Sequence, residues 1–435
     1  MGLTPEVWAA APHALSQSGV HSSLDMSKRF PAFLHRDYRY LWVASACAQI
    51  SLWTLLLGNA KLVFDLSDSS AWVGIATFAS MSPFLIAPIG GVIADRFERR
   101  GVAMISRVWM LVITAALCLL TAIGAIEVWM VVAFALVQGL VRSVQMPADQ
   151  ALVANVVPVE HLSNAVALQS TTQHGTRAVG PLLALPLIGV AGVEGVYGMA
   201  AIFSFISVVT LLGVQIRSRG GVTHLGDIAG NLREGVSYVL ASPLVLAVFV
   251  LTLAHCALTM SFDAMLPGFA EHDLHSEDQG FFIMSIGVGV GALVGTLMLA
   301  MFSNVSRGPL FLGSAVISGL SPLLMAAATD IPMATNAAVL MGISQAMFMA
   351  LSSIIIQEVV PDAVRGRVMS LNVMSAGGVM AIMNLGFGAI ADVTGVPVLF
   401  LVPALVFLAI VGITIPLGSN YRRIYRTGAA LRAGA

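Results

Sequence analysis

From Tyr40 to Leu417 the chain repeats one pattern, a run of apolar residues followed by a short polar link. About twenty apolar residues is the length a helix needs to cross the hydrocarbon of a bilayer. No water is available in that layer, so a single run can pair its own backbone N–H and C=O groups only as an α-helix. Composition points the same way. Hydrophobic residues make up 58% of the chain and charged residues 10%, whereas soluble domains carry roughly 25% charged. The fold class expected is an all-α membrane protein with twelve transmembrane helices. The predicted spans are Tyr40–Phe64, Trp72–Ala94, Val102–Ile123, Val128–Gln145, Asn164–Val190, Val196–Val214, Leu244–Phe269, Gly280–Met301, Leu310–Ala328, Ala334–Gln357, Val368–Ile390 and Val396–Leu417.

The cations sort onto one side of this layout. Lys28, Arg29, Arg36 and Arg39 precede the first span. Arg96, Arg99, Arg100 and Arg107 surround the second link. Arg217, Arg219 and Arg233 lie in the middle link, Arg307 after span eight, Arg365 and Arg367 after span ten, and Arg422, Arg423, Arg426 and Arg432 in the tail. The alternate links carry Asp68, Glu127, Glu194, Glu271, Asp273, Glu277, Asp278 and Asp330, and no Lys or Arg. Lys/Arg excess marks the cytoplasmic side. The prediction is an even number of spans in a cell membrane with both termini cytoplasmic. We call the two faces the basic end and the acidic end.

The predicted organisation is a cytoplasmic tail over 1–38, a six-helix half over 39–214, a linker over 215–243, a second six-helix half over 244–417 and a tail over 418–435. Residues Met1–Asp25 lack the pattern of a signal peptide and read as a disordered tail, with Met26 as an alternative start. In the linker, Leu225, Ile228, Leu232, Val236 and Val239 recur at helical spacing among polar residues, the mark of an amphipathic helix. The halves echo each other. Val157-Pro158, Leu168 and Gly192 recur at the same spacings as Val360-Pro361, Leu371 and Gly395. Duplication into two six-helix repeats is a common transporter plan.

An ionised side chain at membrane depth is costly and is a functional candidate by default. Lys61, Arg142, Arg177 and Asp263 are four such residues. Span five carries Gln173, His174 and Arg177 on one face, and span seven carries His255 and Thr259 with Asp263 beyond them. Arg177, with His174 one turn away, is suited to hold an anionic group of a cargo. Arg142 lies near the basic end of span four, where Asp95 leaves span two, so an Asp95–Arg142 contact is expected to brace that end. The net charge of −1 argues against nucleic acid as a partner. Cys47, Cys118 and Cys256 are far apart and inside apolar runs, so neither a disulfide framework nor a metal site is expected. Motifs for phosphate binding, zinc proteolysis and serine hydrolysis are missing. An enzyme is therefore not expected, and no cofactor.

The link Gly91-Val92-Ile93-Ala94-Asp95-Arg96-Phe97-Glu98-Arg99-Arg100 resembles the signature loop between helices two and three of the major facilitator superfamily of transporters. The usual pattern there is G-x-x-x-D-[RK]-x-G-R-[RK]. The match is at Gly91, Asp95, Arg96, Arg99 and Arg100, with Glu98 where glycine is usual. Tyr38-Arg39-Tyr40-Leu41-Trp42, Gly180-Pro181 and the run Val360-Pro361-Asp362 to Arg365-Gly366-Arg367-Val368-Met369-Ser370 are similar to the enterobactin-exporter-like branch. Span four has Ala135 where proton antiporters often carry a basic residue, and Gly180-Pro181 continues to Ala184-Leu185 rather than to two glycines.

The resemblance implies six-plus-six helices, a monomer, alternating access and proton-driven export of a small amphipathic cargo, either a siderophore or a drug-like molecule. Spans three, six, nine and twelve would face lipid. Lys61 and Asp263 would meet at the acidic end as a gate pair, and Asp263 would also couple protons. Asp95 would accept from the start of span eleven. A second class, a non-transporting sensor or assembly factor with a transporter fold, would show no solute flux. A membrane hydrolase is a third class, which the missing nucleophile motifs disfavour.

Overall fold

The apolar runs fold as helices, as their composition requires. The computed structural model describes residues 30–86, 97–216, 228–276, 279–302, 306–417 and 419–427. The side chains of a few residues inside helices, among them His174, lie outside the description. In chain order the main helices are α1 (Arg36–Ser67), α2 (Ser70–Met81), α3 (Arg99–Ala122), α4 (Val128–Val156), α5 (Val159–Leu212), α6 (Ile228–Ala241), α7 (Pro243–Leu258), α8 (Gln279–Met301), α9 (Arg307–Ala326), α10 (Ile331–Val359), α11 (Asp362–Thr394), α12 (Val396–Leu417) and α13 (Ser419–Thr427). Among the described residues nine helices are long and apolar enough to cross a bilayer, or ten if the bent pair Gly230–Ala241 and Pro243–Leu258 is one span. Their outward faces are apolar, with Trp109 and Leu119 on α3 and Leu405 and Ile413 on α12 exposed. Acyl chains ask for such a surface.

Three local features sharpen or depart from the predicted spans. Spans five and six are two helices within α5 that meet without a loop at a kink. The dihedral angles of α5 break only at Gly192 (φ 61°, ψ −161°), a conformation that costs a residue without a Cβ little. Span seven is not one helix. It stops at Leu258 and resumes as a short turn at Leu266–Gly268 and a π-turn at Phe269–Asp273, so Asp263 sits in a break. Side chains from neighbouring helices satisfy the freed backbone. Gln345 Nε2 donates to the Thr259 carbonyl at 2.8 Å, and the Ala264 N–H donates to Asn384 Oδ1 at 3.1 Å. Third, the tail after span twelve contains a docked helix. In α13, Ile424 and Tyr425 are buried, and the Tyr425 hydroxyl hydrogen-bonds Thr414 at 2.7 Å.

The linker helix lies where its pattern predicts. It turns by 104° into α7, buries Val239 with Leu232 packed beside it, and pairs Glu234 with Arg367 at the start of α11. Of the residues that define its stripe, Leu225 lies outside the described residues.

The packing is uneven between the acidic end and the basic end. α5 lies along α1 and reaches α8, and α2 lies along α11. Glycine permits the close crossings: a Cβ on Gly289 of α8 would stand 2.6 Å from Ala178 Cα, and one on Gly388 of α11 would stand 2.5 Å from the Ser70 carbonyl oxygen. Around the acidic end one apolar core draws on both predicted halves, joining Phe64, Val73 and Tyr197 to Phe269, Phe282 and Phe387. Toward the basic end the cores separate. Among the described residues the buried members of one all precede the linker, such as Tyr38, Leu152 and Leu211. Another contains only residues from the linker onward, such as Phe311, Phe348 and Ile424.

Candidate functional site: a polar cavity and a latched end

A cavity lies within the first half toward the basic end, walled by α1, α3, α4 and α5. Its charged group furthest from solvent is Arg107, which is 1% exposed. The guanidinium donates from Nε to Ser207 Oγ at 3.0 Å, from Nη1 to Asp149 Oδ1 at 3.0 Å and from Nη2 to Ser45 Oγ at 3.3 Å. Ser207 donates onward to the Ala44 carbonyl at 2.7 Å, and Gln145 Nε2 donates to the other Asp149 oxygen at 3.3 Å. Arg107 is thus a neutralised, fully oriented cation. Its position corrects the expectation that spans three and six only face lipid. At this level Arg107 of span three and Ser204 and Ser207 of span six form part of the wall.

Arg142 is different. It lies half-buried on the same wall, one turn before Gln145, with its guanidinium 5.2 Å from the centre of the Phe84 ring. Among the described residues no carboxylate pairs with it. A cation–π contact contributes about 0.5–2 kcal/mol, while taking an ion out of water costs several kcal/mol. The ring alone does not balance the charge. Gln49, Gln145, Gln150, Gln169 and Gln173 surround the cavity with amides, and Gln169 Oε1 is buried with no partner among the described residues.

Arg177 lies two turns beyond Gln169 on α5. Its guanidinium is 5.2 Å from the centre of the Trp53 ring on α1. Asp263, in the break after α7, is its electrostatic partner from the other half, although the two form no direct salt bridge. His174 lies between Gln173 and Arg177 in sequence, and its side chain is outside the described set.

His255 and Thr259 are not at this wall. His255 is fully buried, 4.1 Å from the Phe348 ring and 5.5 Å from Phe407, and shares hydrogen bonds with Thr259 and Ser318. Both residues pack inside the second half. Their helical spacing was legible, but the face they occupy was not.

The expected Lys61–Asp263 pair is not formed. Lys61 donates to Asp65 at 2.5 Å and to Glu271 at 3.4 Å. The break after α7 removes the register on which the pairing depended. Lys61 still bridges the halves at the acidic end, through Glu271 in the π-turn. Two further ties lie there. His272 meets Asp68 at 3.1 Å. Asp392, near the end of α11, accepts from the Ser69 hydroxyl at 2.5 Å and from the N–H groups of Ser70 and Ala71 at 2.8 and 3.2 Å. The start of α2 is therefore capped by a carboxylate from the other half, where a helix N-terminus attracts negative charge. Toward the basic end the ion pairs Arg107–Asp149 and Arg307–Glu358 each lie within one half.

Gly91, Asp95 and Arg96 of the predicted gate lie outside the described residues. Arg99 donates to Asn155 Oδ1 at 2.9 Å and Arg100 to the Leu212 carbonyl at 3.4 Å, both within the first half. Sequence reasoning missed Asp149, Glu271 and Asp392. The first was findable, because Arg142, Gln145 and Asp149 fall at i, i+3 and i+7 on one helical face. The other two carry no local signal. Among the described residues no group of His, Cys, Asp or Glu could hold a metal ion.

Comparison with known proteins completes the assignment. Residues 27–420 match the family described as transmembrane secretion effector. The chain is similar to the staphyloferrin A transporter of Staphylococcus aureus, 22% identical over 364 residues, covering 82% of this chain and 90% of that one. It is similar to the macrolide efflux protein A of Streptococcus pyogenes, 22% identical over 405 residues, covering 88% and 96%. It is also similar to the enterobactin exporter of Shigella flexneri, 27% identical over 360 residues, covering 80% and 82%. Its fold is like that of the solved peptide transporter POT, with a TM-score of 0.71 at 13% identity over 90% of this chain and 96% of that one. A D-xylose–proton symporter gives a TM-score of 0.65 at 14% identity over 85% and 96%. With a family match that runs almost end to end, the chain belongs to the transmembrane secretion effectors, a branch of the major facilitator superfamily of multi-pass membrane transporters.

Proposed function

We propose that this transporter is a secondary active exporter. It moves a small amphipathic molecule, siderophore-like or drug-like, out of the cell in exchange for protons. The observation that carries the reading is the uneven packing of the two halves. They share one core and three polar ties at the acidic end, and keep separate cores at the basic end. A carrier waiting for cargo from the cytoplasm would have this form if the basic end faces inward. Twelve spans in two six-helix repeats follow if α5 is counted as two spans divided at Gly192, and if the second and seventh predicted spans are counted although α2 and α7 are short. Rocking of one repeat against the other then alternates access.

Arg177 and Asp263 form the coupling element in this scheme. Their opposite charges attract each other across the halves. Protonation of Asp263 cancels that attraction and lets the halves separate. Asp95, Arg96 and Gly91 brace the basic end in the outward state.

The test is efflux of catecholates, dyes and drugs from a pump-deficient host, followed by proteoliposomes with an imposed pH gradient. The native chain should export a cargo and respond to the gradient. Asp263→Asn should uncouple efflux from pH, and Arg177→Gln should lower it at least about tenfold. Gradient-independent flux would remove the proton coupling, and absence of flux for every cargo would remove the export reading.

A further inference from the structure

We propose that Arg142 is a cargo-anchoring residue and that the cavity selects an organic anion, a carboxylate carrying hydroxyl or amide groups, over a cationic compound of similar size. The inference rests on the export reading above and adds the charge class of what is exported. Three observations lead to it. Arg107, the other cavity arginine, is occupied by Asp149, Ser45 and Ser207, so it is not available to a ligand. Arg142 stands on the same wall with an aromatic face behind it and, among the described residues, no anion in front. Among the described residues Asp149 is the only carboxylate on the cavity lining, and Gln145 and Arg107 tie both of its oxygens. The wall therefore carries two cations and one anion, an excess of one positive charge.

The remaining lining fits the rest of such a molecule. An arginine fork stationed over a ring offers parallel N–H donors that match a carboxylate. Five glutamine amides provide both donors and acceptors, and Gln169 Oε1, buried without a partner among the described residues, asks for a hydroxyl or amide N–H from the occupant. A cationic occupant would instead meet Arg142 and find no free carboxylate.

Purified full-length protein, reconstituted in vesicles, should be titrated with two dyes, carboxyfluorescein as the anionic probe and rhodamine 6G as the cationic one. Anisotropy reads binding, and dequenching reads export. Carboxyfluorescein should bind the native chain, more weakly at high salt. Arg142→Gln should weaken that binding roughly tenfold to a hundredfold. Arg142→Lys, which keeps the charge and guards against a folding defect, should retain more of it than Arg142→Gln does. Four results would overturn the proposal: no binding of carboxyfluorescein by the native chain, unchanged binding by Arg142→Gln, preferential binding of rhodamine 6G, or an equal loss for both dyes, which is what a purely structural brace would give. Binding that depends on Arg142 but is never followed by flux under a gradient would leave the anchor standing and remove the export reading. Flux of rhodamine 6G alone would do the reverse.

Discussion

Asp149 decides the fate of the most deeply placed arginine. Arg107 is 1% exposed, and its charge is balanced by one carboxylate. Removing one partner of a buried ion pair costs about 3–5 kcal/mol, while replacing both can be close to neutral. Asp149→Asn should therefore lower the melting temperature in detergent sharply, and adding Arg107→Gln should restore much of the loss. A double-mutant cycle measures this, and additive losses would show that the pair is not coupled. At this scale the sequence was informative about which residues matter and poor about whom they meet. Lys61, Arg142, Arg177 and Asp263 stood out because charge inside an apolar run is conspicuous. Their partners did not, because pairing depends on rotations of helices that periodicity leaves open. Lys61 illustrates this. Its role in joining the halves was anticipated, but its partner is Glu271, since the chain leaves helical register between Leu258 and Leu266.

Between elements, the most informative contact is the cap of α2 by Asp392. A lost N-cap costs about 0.5–2 kcal/mol, small for the fold but enough to shift a balance between two conformations several-fold. Asp392→Ala should open the acidic end more often. In a background with Cys47, Cys118 and Cys256 replaced, a cysteine at position 70 should then react faster with a membrane-impermeant maleimide added from the outside. An unchanged rate would mean that the cap does not hold this end closed. The break in α7 gives a second prediction. Asn384→Leu would leave the Ala264 N–H without its acceptor, and Asn384 is fully buried. A loss of about 1–3 kcal/mol is expected, measured by thermal unfolding, and a neutral effect would show that the break is held by other contacts. Helix existence was legible from apolar length for the nine helices that, among the described residues, are long enough to cross a bilayer. The loopless join inside α5 and the interrupted span seven were not, because the first turns on the backbone conformation of Gly192 and the second on backbone groups satisfied by side chains remote in sequence.

Across the whole molecule, charge placement foretold a polarity that the packing reproduces in another form. Cations gather at one end, where the cores of the halves are separate, and acids gather at the other, where the halves share a core. Orientation in the membrane is open to a direct check: a C-terminal epitope should be reached by antibody only after the cytoplasmic face is exposed, and labelling of intact cells would reverse the assignment. The central claim is that the two ends open in alternation. Spin labels on exposed positions at the acidic end, Leu66 and Val393, and at the basic end, Val159 and Asp362, allow both gaps to be read by pulsed electron paramagnetic resonance in lipid. Without cargo or gradient, the acidic-end distance should be short and narrow and the basic-end distance long. Lowering the external pH should lengthen the first and shorten the second together. Two distances that stay fixed, or that lengthen at the same time, would contradict alternating access.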